Sequence, residues 1–191
     1  MTTIQDDLDA RLSARLKAER DGRGWSLAEL AGRAGVSKAM ISKLERGESS
    51  PTAALLGRLS GAFGLTLSQL MARAEASAGP LARKIEQASW RDPATGFTRR
   101  TLTPASGEAT ALELVWGELP PGAAIAYPAS AFTFIQDQQI VVLQGALSFT
   151  QGGAVYDLGQ GDCLRLGPPQ DCEFRNAGRA TCRYIVAVLR R

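Results

Sequence analysis

The stretch "WSLAELAGRAGVSKAMISKLERGESSPT", Trp25 to Thr52, decides the fold of the first third of the chain. Leu27, Leu30, Ala31 and Ala34 recur at i, i+3, i+4 and i+7, the spacing of one buried helix face. Ser26 and Ser37 stand where helices begin, so their hydroxyls can accept from free backbone N–H groups. Glu29, three residues after Ser26, fits a capping box. Two short helices that cross steeply need a small residue at the crossing, which Ala31 supplies. Their turn needs a residue that accepts positive φ, which Gly35 supplies. Val36, Ile41 and Leu44 then point beneath the second helix, and Lys38, Ala39, Ser42 and Lys43 point outward. The N–H groups at the Ser37 end can approach a phosphate.

The same period extends to both sides. Leu8, Leu12 and Leu16 precede the stretch; Leu55, Leu56, Leu59 and Phe63 follow it, then Leu67, Leu70 and Met71. Thr52 and Thr66 are further starts, and Gly35, Gly47 and Gly64 are stops. The pattern predicts five helices, at roughly 4–20, 27–33, 38–45, 53–62 and 67–75. "ARAEASAGP", Ala72 to Pro80, reads as a helix end running into a linker, with a longer fifth helix as the alternative.

Residues 5–70 resemble the lambda-repressor-like helix-turn-helix family, also called the xenobiotic-response-element (XRE) family. The likeness rests on "LAELAGRAGVSKAMISKLERGESSPT" and the closing "LSGAFGLTLSQL". It implies binding to double-stranded DNA, with Ser37, Lys38, Ala39, Ser42 and Lys43 on the recognition face. Ser26, Arg46, Ser49, Ser50 and Thr52 match positions that usually touch the DNA backbone. One departure falls at Leu27, where the family often has a Gln reaching toward phosphate or base. Charge agrees with a polyanionic partner. Residues 1–74 hold 11 Lys/Arg against 8 Asp/Glu, and the remaining residues balance, so the whole excess of +3 lies in the first part.

From about Leu81 the period falls to two. "TALELVWGEL" alternates, with Leu112, Leu114 and Trp116 on one face. "QIVVLQGALSFTQGGAVYDL" gives two strand-like runs joined at "QGG", and "TCRYIVAVLRR" puts Cys182, Tyr184, Val186 and Val188 on one face. No helix of any length is expected here. Short strands broken by Gly and Pro predict an antiparallel sandwich or barrel.

Residues 105–189 resemble the cupin superfamily of small double-sheet barrels. One motif of that family runs from Gly through two His and a Glu to a second Gly, and its frame survives between Gly122 and Gly145. The His positions fall at Tyr127 or Pro128 and near Ser130, and the Glu position is Gln138. In the second motif Gly161, Asp162 and Asn176 are kept, and the His position is Cys172. The chain contains no His at all. Imidazole is the main ligand of such sites, and one thiol with a neutral amide falls short of a catalytic set. No metal, cofactor or catalytic residue is therefore expected, and the kept Gly and Asn residues are read as parts of the turns.

The expected fold is α+β in two domains: a helix-turn-helix domain at 1–74, a linker at 75–86 and a cupin-like barrel at 87–191. The expected ligand lining is Tyr127, Gln138, Cys172, Phe174 and Tyr184, with Ile140 and Val142 beside them. "QASWRDPATGFTRR", Gln87 to Arg100, either braces the two domains or offers its arginines to an anion. The expected function is a DNA-binding transcription regulator, homodimeric and cytoplasmic, whose barrel senses a small polar or anionic molecule. A barrel serving only for dimerisation and a cupin enzyme tethered to DNA are the alternatives. The enzyme needs a general base that a chain without His supplies poorly. The acidic N-terminus and the lack of any 18-residue apolar run point away from secretion and from membranes. Three Cys, an odd number, fit free thiols in a reducing compartment; a redox sensor is the competing reading of them.

Overall fold

Ser26, Ser37, Thr52 and Thr66 each open a helix in the computed structural model, which describes residues 4–71, 80–104 and 110–190. The helices are α1 (Ile4–Gly22), α2 (Leu27–Ala34), α3 (Lys38–Glu45), α4 (Ala53–Phe63) and α5 (Leu67–Met71). Ser26 Oγ accepts from Glu29 N while Glu29 Oε2 accepts from Ser26 N, the reciprocal pair expected of a capping box. Thr66 and Gln69 repeat that arrangement at α5. Gly35 and Gly64 end α2 and α4 in the left-handed region, at φ 62° and 68°. The continuation of α5 expected to residue 75, and most of the linker, lie outside the described residues. Leu30, Ile41, Leu44, Leu56 and Leu59 are fully buried between the helices, each contributing about 1.5–3 kcal/mol on removal from water.

Among its described residues the second part holds ten strands: β1 (Ser89–Arg91), β2 (Thr98–Thr101), β3 (Leu112–Leu119), β4 (Ala124–Tyr127), β5 (Ile135–Gln144), β6 (Leu147–Gln151), β7 (Ala154–Leu158), β8 (Cys163–Arg165), β9 (Cys172–Arg175) and β10 (Cys182–Arg190). They form a six-stranded sheet, ordered β1-β2-β3-β10-β5-β8, and a four-stranded sheet, ordered β4-β9-β6-β7. Every pairing is antiparallel. The two sheets face each other as an antiparallel double-sheet barrel. One 3₁₀ turn, Ala129–Phe132, is the single helical piece among the described barrel residues.

Two strands differ from the sequence pattern. The run read as one strand before "QGG" breaks at Gly145, φ 80°, and its halves β5 and β6 lie in different sheets. In β3 the inward face is Glu113, Val115, Gly117 and Leu119, while Leu112, Leu114 and Trp116 face out. Gly117 pairs with Tyr184 across the sheet, and a Cβ there would lie 2.5 Å from the tyrosine ring. The strand turns its small residue inward because that ring fills the space.

Asn176, at the end of β9, is completely buried. Its amide donates to the Leu119 and Ala180 carbonyls at 2.8 and 2.9 Å and accepts from Gly178 N at 2.9 Å. The side chain closes a turn, the role expected for it from sequence.

The helical part docks directly on the barrel. Gly57 and Gly61, one turn apart on α4, leave a smooth strip. A Cβ on Gly57 would lie 2.6 Å from Tyr127 Cδ1, and one on Gly61 2.5 Å from the Ser130 carbonyl. Asp92, in the β1–β2 hairpin, accepts from Ala53 N at the start of α4 and from Ala94 N. Arg99 donates to Ser68 at 2.7 Å, and Thr66 donates to Glu113 at 2.9 Å. The Gln87–Arg100 element thus braces the two parts.

Candidate functional site

The outer surface of α3 is the first candidate. Ile41 and Leu44 anchor it inward, so Lys38, Ala39 and Lys43 are exposed and Ser42 is half-buried. Ser37 Oγ accepts from Met40 N at 3.2 Å. The expected recognition residues therefore share one face of α3. Ser26 lies at the start of α2, Ser49 and Ser50 in the loop after α3, and Thr52 at the start of α4, where its hydroxyl caps Leu55 N. Leu27 packs against the core.

Arg46 differs from a free cation. Its Nε and Nη2 donate to Glu48 at 2.5 and 2.8 Å, and its Nη1 donates to Ser42 Oγ. The pairing pushes the arginine pKa up and the Glu48 carboxyl down. One acidic residue thus neutralises part of the face. Sequence reading also missed the fork between Arg20 and Glu45, at 2.7 and 2.8 Å, which ties α1 to the end of α3. Met40, beside the lysines, is partly exposed as well.

The second candidate is a cavity of about 90 Å³ inside the mouth of the barrel. Tyr127, Gln138, Phe174 and Tyr184 line it, as expected, together with Phe97, Val115, Ile125, Val186 and Val188. Cys172 does not line it: the thiol is buried at the Tyr127 pairing of β9. Alternation identifies the face of a strand, and Cys172 is buried on the same face as Phe174 without lining the cavity. Ile140 and Val142 share Gln138's face and fill the floor of the core. Burial pushes the Cys172 thiol up to about 12 and the Cys182 thiol to about 11, whereas Cys163 is exposed. The two buried thiols are poor nucleophiles at neutral pH.

The cavity also has walls that the sequence did not nominate. Gly57 and Ser60 of α4, Thr66, and Leu67 of α5 close it from the helical side. Arg99 and Glu113 bring two buried charged groups to its lining. Among the described residues the Tyr127 and Tyr184 hydroxyls and the Gln138 amide hydrogen-bond to no protein group. Burial raises the Tyr184 phenol well above its ordinary value, so it stands as a neutral O–H donor. Among the described residues, no cluster of three or more His, Cys, Asp or Glu is placed to hold a metal ion.

The comparisons match both parts. The helix-turn-helix family model HTH_3 covers residues 16–70. The HTH-type transcriptional regulator SutR of Escherichia coli (strain K12) is 27% identical over 185 residues, 94% of each chain. The crystal structure of an HTH_3 family transcriptional regulator from Vibrio cholerae has a TM-score of 0.78 at 25% identity, covering 98% of this chain and 99% of that one. The Cupin_2 domain of an XRE family regulator from Enterobacter cloacae matches half of this chain and 97% of its own at 17% identity, TM-score 0.44. Residues 16–70 match the HTH_3 helix-turn-helix family, and the chain is similar over nearly its whole length to helix-turn-helix-type transcriptional regulators.

Proposed function

We propose that the protein reads an operator through α3 as a homodimer and that a small polar or anionic molecule in the barrel cavity changes its affinity for that operator. The domains are taken as 1–74, 75–86 and 87–191, and the working place as the cytoplasm. Among the described residues no helix is long and apolar enough to cross a membrane. The observation that carries the sensing role is the shared cavity wall. Gly57, Ser60, Thr66 and Leu67 belong to the reading head, and Tyr127, Gln138, Phe174 and Tyr184 to the barrel. A molecule in that space touches both, and so can bind two arrangements of them unequally, which is what an effector requires. The barrel is not assigned a catalytic role.

Lys38 and Lys43 are assigned to base edges or phosphates, with Ser37, Ala39 and Ser42 beside them on the recognition face, and Ser26, Arg46, Ser49, Ser50 and Thr52 to the duplex backbone. Glu48→Gln is expected to tighten DNA binding several-fold at low salt. The change frees Arg46 for a phosphate and removes a repelling charge, so the salt slope steepens by about one counterion. Gel shifts of both proteins across 50–200 mM salt check this; equal affinities and slopes count against the assigned face. A wild type with no affinity for any duplex at low salt overturns the DNA-binding role itself.

One recognition helix contacts too few bases for specificity, so two copies are required, reading half-sites about 34 Å apart. The outward apolar row of the six-stranded sheet suits the second copy. Leu112, Leu114 and Trp116 stand opposite Leu189, Ala187 and Ile185 in register, with Leu143 exposed nearby. Light scattering is expected to report a dimer at micromolar concentration, and Leu114→Asp to shift it toward monomer. A wild-type monomer with and without DNA would reject this assembly.

A further inference from the structure

The cavity lining contains a buried cation that no carboxylate hydrogen-bonds. Arg99 is 8% exposed, and its guanidinium donates to two neutral hydroxyls, Ser68 Oγ at 2.7 Å and Thr101 Oγ1 at 3.3 Å. Of its five N–H donors, the rest bond to no protein group among the described residues. Glu113 is the acid of the lining; it acts on Arg99 through space, and its Oε2 has no hydrogen-bond partner. Its Oε1 faces Arg190 Nε at 3.2 Å and accepts from the Thr66 hydroxyl. Asp92 spends its carboxylate on the Ala53 and Ala94 N–H groups. The lining therefore balances in formal charge, but no hydrogen bond joins Arg99 to a carboxylate, and the guanidinium keeps N–H donors unused toward the cavity. Burial lowers the Arg99 pKa, the expected strain on a desolvated guanidinium. Such a charge is costly unless something pairs with it.

We infer that the cavity binds a small organic carboxylate as a monoanion, with Arg99 as the residue that holds the carboxylate. This rests on reading the cavity as an effector site. A planar fork of N–H donors fits a carboxylate in two-point contact. One guanidinium beside a carboxylate suits a monoanion better than a phosphate dianion. The rest of the wall is mostly apolar, with Val115, Ile125, Val186 and Val188 around the Tyr127 and Tyr184 hydroxyls, so the body of the molecule is a short hydrocarbon chain. Size sets its length. A volume of about 90 Å³, where one water needs about 10–15 Å³, takes a short-chain acid rather than a fatty acid. Arg99 is also the residue that grips Ser68 on α5. A carboxylate on the same guanidinium alters that grip, and the reading head responds to occupancy through it.

The test uses the full chain and three compounds of one length: sodium pentanoate, pentanamide and pentylamine hydrochloride, at matched ionic strength. Pentanoate at a hundred times its dissociation constant is expected to raise the melting temperature by about 5–10 °C, with no rise from the amide or the amine. Arg99→Lys should weaken pentanoate binding about ten-fold and Arg99→Gln about a hundred-fold. If Arg99→Gln fails to fold, the wild-type contrast between acid and amide still decides. An amide that stabilises as well as the acid overturns the carboxylate inference and leaves the sensing role standing. No shift with any of the three overturns the inference; a wider panel of neutral metabolites that also gives no shift removes the sensing role.

Discussion

Gly61→Val is expected to push the helical domain off the barrel and lower the melting temperature by about 6–12 °C. The three atoms nearest a Cβ at Gly61 are the Ser130 O and C and the Ala131 Cα, at 2.5, 2.9 and 3.1 Å. All are backbone, so no side-chain rotation relieves the clash. Overpacking of this kind costs about 3 kcal/mol at the upper end, and each kcal/mol shifts the midpoint by about 2–4 °C for a chain of this size. Opening the seam also releases the bonds from Thr66 to Glu113 and from Arg99 to Ser68. Gly32→Ala is the control. It lies in α2 with nothing within 4 Å of its Cβ, and alanine there should stabilise by about 0.5–1 kcal/mol. Calorimetry and small-angle scattering check both; an unchanged midpoint and an unchanged particle size for Gly61→Val would contradict the docking.

Asn176→Leu is expected to cost about 3 kcal/mol or more. Leucine has nearly the same volume, so the loss is of hydrogen bonds rather than of packing. The Leu119 and Ala180 carbonyls and the Gly178 N–H lose their partner in a buried turn. Each unsatisfied group costs about 1–3 kcal/mol. Denaturant melts should show an earlier midpoint with little change of slope. A loss under about 1 kcal/mol would mean that water reaches the turn and Asn176 is replaceable.

These two positions also mark how far the sequence could be read. Asn176 was legible: as a kept position of the second cupin motif it was read as part of a turn. The caps were legible because a hydroxyl before an apolar period has one favoured use. Gly61 was not. Inside a helix, glycine reads only as a weakness of about 1 kcal/mol, and the partner that requires it lies some seventy residues away in sequence. The inward face of β3 was hidden for a related reason. Both its faces carry apolar residues, and the buried one also carries Glu113, whose partners Thr66 and Arg190 come from either end of the chain. Arg99 lay in an element whose alternatives were a brace or an anion holder. The hydrogen bond to Ser68 establishes the brace, and the cavity beside it gives the other alternative its physical basis. Cys172 shows the limit of strand alternation, which identifies the side of a sheet and not which residues on it border the cavity.

The strip at Gly57 and Gly61 bears on how such a regulator could be rebuilt. The seam between reading head and barrel is also one wall of the cavity, so the halves are not interchangeable cassettes. A chimera that grafts a foreign helix-turn-helix domain onto this barrel inherits an open pocket, unless the graft brings glycine at both α4 positions and hydroxyls matching Thr66 and Ser68. Recombination that swaps operator specificity would therefore tend to erase ligand response. New DNA targets are more accessible by substitution on the outer face of α3, which shares no atom with the seam.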